Sequence, residues 1–120
     1  MAMIIADGPL PDMVTSSDRP NLGVHFVASP SSWELAVWPS DGDKQRVAAG
    51  VFETRAFDAP LRYEIQREGP VARVVLPDGQ TVEVQDDRIE RFSGDWMVWE
   101  LYQDGGSVPS AGIETWWAAW

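Results

Sequence analysis

From residue 22 onward, apolar and polar positions alternate in short runs separated by turn residues about every ten positions, a pattern that predicts an all-β sandwich or barrel. In "LGVHFVA" the side chains of Leu22, Val24, Phe26 and Ala28 share one face, which leaves His25 on the other. "WELAVW" sets Trp33, Leu35 and Val37 against Trp38 and stops at the turn cluster "PSDG", residues 39–42. "RVAAGVFE" and "LRYEIQRE" follow, the second with Tyr63 and Ile65 inward and Arg62, Glu64 and Gln66 outward. "VARVVL" lacks clean alternation, as expected of a central strand covered on both faces. The strongest local signal is "LPDGQTVEV". Pro77 presets φ and Gly79 accepts φ > 0, so Pro-Asp-Gly should reverse the chain between residues 71–76 and 81–84.

Beyond that hairpin, "DDRIERF" predicts a short helical turn over 87–92, with Ile89 and Phe92 spaced i, i+3 on one side. "DWMVWELY" returns to period two, with Met97, Trp99 and Leu101 against Trp96, Val98 and Tyr102. It therefore needs cover on both faces. The C-terminal "IETWWAAW" puts Ile113, Thr115, Trp117 and Ala119 on one face and Glu114, Trp116, Ala118 and Trp120 on the other. Parity forbids Trp116 and Trp117 from both facing inward, and Glu114 marks the wetter side. Trp117 is thus expected in the core of a closing strand, with Trp116 and Trp120 against another polypeptide. Residues 7–23, "DGPLPDMVTSSDRPNLG", hold three prolines and no periodic apolar pattern. The expectation is an N-terminal extended arm over 1–21, with Pro9 and Pro11 lying across a neighbour, followed by a single sandwich domain over 22–120.

Composition sharpens this picture. A chain of 120 residues is one domain's worth of sequence, and seven tryptophans with 44% hydrophobic residues argue against disorder. The net charge of −10 repels phosphate, so neither a nucleic-acid role nor an anionic membrane surface is expected. No apolar stretch approaches membrane-spanning length, and the apolar start is too short for a signal peptide; synthesis in the cytoplasm is the expectation. Positive charge is carried by eight arginines and Lys44, none beyond Arg91.

Candidate chemistry is sparse. Without cysteine there is no disulfide framework, thiolate nucleophile or thiolate metal ligand. His25, the single histidine, has no nucleophile or orienting carboxylate at recognisable spacing and is expected to face solvent from mid-strand. Asp41-Gly42-Asp43 lacks the downstream carboxylate of a calcium loop and predicts a plain turn. Asp86, Asp87 and Glu90 interleave with Arg88 and Arg91, which can neutralise them at i+3 or i+4. Neither a catalytic residue, a cofactor nor a metal is expected. Exposed indoles at Trp33, Trp38, Trp116 and Trp120 leave open stacking on a sugar ring or anchoring of another protein.

The segment "LPDGQTVEVQDDRIERFSGDWMVWELYQ" resembles the C-terminal parts of small minor tail proteins of phages infecting actinobacteria. The likeness is carried by Leu76-Pro77-Asp78-Gly79, Asp87-Arg88-Ile89, Gly94, Trp99-Glu100 and the close at Trp117-Ala118, over about a third of the chain. The resemblance implies a structural virion subunit at the tail tip, held by other tail proteins or further copies of itself and in reach of a host-envelope glycan. Interface candidates are Trp116, Trp120, Trp38, Pro9 and Pro11. The Arg-over-Lys composition fits a high-GC phage and its host equally. A carbohydrate- or peptide-binding β-sandwich module of an actinobacterial protein is the alternative.

Overall fold

Eight antiparallel strands in two sheets make up the computed structural model, which describes residues 1–8, 22–29, 31–39, 42–52 and 61–100. Strands β1 (Ala2–Ala6), β2 (Gly23–Ala28), β3 (Ser32–Trp38), β4 (Gln45–Val51) and β8 (Trp96–Glu100) form one sheet in the order β4-β3-β2-β1-β8. Strands β5 (Glu64–Glu68), β6 (Val71–Val75) and β7 (Thr81–Gln85) form the second, with β6 in the middle. A 310 turn, Ile89–Arg91, joins β7 to β8. The chain is an all-β sandwich, as its alternation predicts.

Inward-facing residues of both sheets meet in one core. Met3 and Ile5 of β1, Val24 and Phe26 of β2 and Leu35 and Val37 of β3 pack with Ala72, Val74 and Leu76 from β6 and its end. Ile89 and Phe92 close one side, so the helical turn and its i, i+3 pair stand where the sequence puts them. Phe26 is completely buried, with the rings of Trp33 and Tyr63 at 6.4 and 5.7 Å. Burial of such a ring contributes about 2–3 kcal/mol. Trp99 packs against the same core, but its indole Nε1 is buried and finds no acceptor among the described residues.

The β6–β7 reversal follows the expected chemistry. Gly79 takes φ 85°, its N–H donates to the Leu76 carbonyl at 2.9 Å, and the Leu76 N–H donates to the Gln80 carbonyl at 2.8 Å. A turn followed by a left-handed residue is a common three-residue hairpin connection.

Two expectations need correction. The first is that residues 1–21 form an arm outside the domain. Ala2–Ala6 is instead the strand between β2 and β8, paired through Ile4↔His25 and Ile4↔Val98. The run "AMII" is apolar at every position because both faces of this strand are buried, so it shows no alternation to detect. Residues 9–21, with Pro9 and Pro11, lie outside the described residues. The second concerns β6, which is central in its sheet but has no second layer outside it among the described residues. Its outward positions are Val71, Arg73 and Val75, and exposed Arg73 pairs with Glu83 of β7 at 2.8 Å.

Candidate interaction face

Strand register assembles the outer face of the five-stranded sheet. Ala2, Ile4 and Ala6 of β1, His25 and Val27 of β2, Ala36 and Trp38 of β3 and Trp96 and Val98 of β8 all point away from the core. Ala2, Ile4, Ala6 and Val98 form a second buried apolar cluster, with Val27 packed against it. The second sheet's outer face differs. Gln66, Arg73, Glu83, Thr81 and Gln85 are exposed there, as expected of a solvated surface.

His25 lies within the apolar face, not in solvent. Its cross-strand neighbours are Ile4 and Ala36, it is only 6% exposed, and its ring centroid is 5.7 Å from that of Trp38. Parity alone assigns His25 to the outer face correctly. The mistaken step is to equate the outer face with water: Ala2, Ile4, Ala6, Ala36 and Val98 on that face are each at most 7% exposed.

At one end of the face, register draws the row Trp96, Ala6, Gly23, Trp38 across four strands. Two indoles thus flank two small residues. Trp96 is 46% exposed and Trp38 half-buried. Gly23 sits so close to β1 that an added Cβ would lie 2.1 Å from the Ile5 carbonyl oxygen. The end carrying Trp96 is tied to β1 by Asp7, whose Oδ1 accepts from the Ser93 N–H at 2.6 Å and the Ser93 hydroxyl at 3.2 Å. Arg67 of β5 supports the same loop from inside the sandwich. Its guanidinium donates to the carbonyls of Phe92, Ile89 (3.4 Å) and Ser93 (3.1 Å).

Glu34, on β3 toward the other end, joins Lys44 at 2.9 Å and Arg46 at 2.8 Å. Burial pushes its carboxyl up, but hydrogen bonds and charge from Lys44 and Arg46 prevail and hold it below its ordinary value. Asp86 is the other perturbed acid. Hydrogen bonding from Arg88 lowers it to about 2 against a smaller opposing effect of burial, and Arg88 also donates to the Gln45 side chain of β4. Arg88 therefore neutralises Asp86 two positions away, not at i+3 or i+4: Asp86 precedes the 310 turn and also accepts the Arg88 N–H, at 3.0 Å. Among the described residues, no three His, Asp or Glu side chains are grouped to hold a metal ion. Also among them, no helix is long and apolar enough to cross a membrane.

Of the sequence candidates, Trp38 is on this face, while Trp116, Trp120, Pro9 and Pro11 lie outside the described residues, as do Trp117 and the whole run 113–120. Trp33 faces inward over Gly50 of β4, where an added Cβ would meet its indole at 2.7 Å. Sequence reasoning missed Trp96 as a candidate; its pairing with Ala6 places it on this face. Comparison with protein-family models, curated proteins and solved structures returned no match.

Proposed function

We propose that this chain is a structural subunit that works through protein–protein contacts, and that it is a minor tail protein at the tail tip of a tailed phage of actinobacteria. One observation carries the first half. The outer face of the five-stranded sheet is a buried apolar cluster, and at its rim Trp96 is 46% exposed. Large, rigid indoles anchored in an apolar surround are the side chains that dominate protein interfaces. The second half rests on the resemblance of the segment from Leu76 to Ala118 to minor tail proteins. Its P-D-G element is the β6–β7 hairpin, and its Trp99-Glu100 element is the end of β8.

A second reading is a carbohydrate- or peptide-binding module. The row Trp96, Ala6, Gly23, Trp38 favours it, because two indoles flanking small residues resemble a platform on which a sugar ring stacks. The two readings separate on Trp96→Ser. A subunit held by this rim loses incorporation into particles while its thermal midpoint stays within a few degrees of wild type. A glycan module instead shows quenching of tryptophan fluorescence by cell-envelope polysaccharide in the isolated protein, abolished in Trp38→Ala and Trp96→Ser. Normal incorporation of Trp96→Ser refutes the rim as a docking anchor.

A further inference from the structure

We propose that β4 is a pairing edge at which a second copy of this chain adds its own β4, antiparallel and centred on Gly50. The inference goes beyond the assembly reading and stands on the sheet edge alone. The Phe52 N–H donates to the Ser31 carbonyl at 3.0 Å, and Ser32 faces Val51 in the β3–β4 register. In an antiparallel ladder, residues that bond their partner alternate with residues whose main chain points away. Residues 48, 50 and 52 therefore bond β3, while Ala49 and Val51 aim their N–H and C=O groups outward. No described strand lies on that side.

Proteins commonly guard such an edge with charge, proline or a bulge. Here the bulge near Val47 and the cations Lys44 and Arg46 guard the first half of the strand, and Glu34 holds both cations. The second half, "AAGV", has no charge and no proline, and Val51 is 83% exposed. A net charge of −10 sets two copies against each other, yet β4 carries no acid. Self-pairing is thus least opposed along this edge.

The two-fold axis at Gly50 follows from the groups on offer. It sets Ala49 of one copy opposite Val51 of the other as hydrogen-bonded pairs, so the two exposed apolar side chains cover each other. Arg46 then falls beyond the described strand of the partner. An axis at Ala49 would instead place Val51 against Val47 in the bulge, where the alternation is broken.

The test uses the full chain in sedimentation equilibrium from micromolar to millimolar concentration. Wild type is expected to show a monomer–dimer equilibrium, and Ala49→Lys and Val51→Lys should each weaken it about tenfold or more. Both positions are exposed, so circular dichroism melts should match wild type. Mixing A49K with V51E should restore association, because the axis at Gly50 sets those two positions opposite each other, whereas A49K with V51K should not. A wild type that is monomeric throughout overturns the proposal, as does undiminished association of both lysine variants or a mixture that fails to rescue. Each outcome is independent of particle incorporation by Trp96→Ser, so this edge and the assembly reading fail separately.

Discussion

Asp86 and Arg88 stand two residues apart at the entry to the 310 turn. The Arg88 guanidinium and main-chain N–H both bind Asp86 Oδ1, at 2.8 and 3.0 Å, and the guanidinium also reaches Gln45 of β4. These bonds hold the Asp86 carboxyl at about 2, below its ordinary 3.8. A carboxylate with a depressed folded-state pKa adds stability that is complete above the unfolded value and is lost as pH falls through the folded one. The contribution is therefore full above about pH 4–5 and decays toward pH 2. Its ceiling is about 2 kcal/mol at 1.36 kcal/mol per unit, and solvent screening brings it nearer 1. Unfolding free energies of wild type and Asp86→Asn should differ by that amount at pH 7 and converge near pH 2. A difference that persists unchanged to pH 2 would show that the charge has no part in it. The acidic sequence cluster marks a solvated turn, but which arginine answers which acid depends on the local bend that lets Asp86 accept the Arg88 main-chain N–H ahead of the 310 turn.

At the scale of elements, the hairpin at Pro77-Asp78-Gly79 and the helical turn ending in Phe92 are local. Turn chemistry and i, i+3 spacing suffice to place them. The loop from Phe92 to Asp95 is different, because partners distant in sequence hold it. Arg67 occupies an inward position of β5, the same parity as Tyr63 and Ile65, and supplies donors to the Phe92 and Ser93 carbonyls there and to the Ile89 carbonyl in the 310 turn. Asp7 grips the same loop from β1. Arg67→Met keeps the apolar stem and removes the donors, leaving part-buried carbonyls without these partners. The expected cost is about 2–3 kcal/mol. Native-state hydrogen exchange should quicken at the Ser93 and Gly94 amides well before that of Val74 in β6. Uniform acceleration across all three would mean that Arg67 supports the whole sandwich and not this loop. For β6, expected from "VARVVL" to be doubly covered, no second layer lies outside it among the described residues. Beyond the Arg73–Glu83 pair, a central place in a sheet says nothing about whether a second layer lies outside it.

For the whole molecule, the decisive element is the first. β1 joins β2 to β8 and bridges residues nearly a full chain apart, as in Ala2↔Glu100. It also supplies Met3 and Ile5 to one core and Ala2, Ile4 and Ala6 to the outer cluster. An arm is dispensable for folding, whereas a central strand is not. Deleting residues 1–6 should abolish the cooperative thermal transition and collapse amide dispersion in a proton–nitrogen correlation spectrum. A truncated chain that still melts cooperatively would return these residues to the status of an arm.

The sequence by itself determined the all-β class, the strand positions among the described residues from 22 to 100, the inward parity of Phe26, Leu35, Val37, Tyr63 and Ile65, and the Pro77-Asp78-Gly79 reversal. Each of these depends on a two-residue period or on the φ preference of one residue, quantities that neighbours along the chain already define. Only the tertiary structure decided that β1 is central, that His25 is buried on an outer face, and that Trp96 stands at its rim. Those facts depend on which strands lie side by side, and strand pairing joins residues whose separation in sequence carries no local signal.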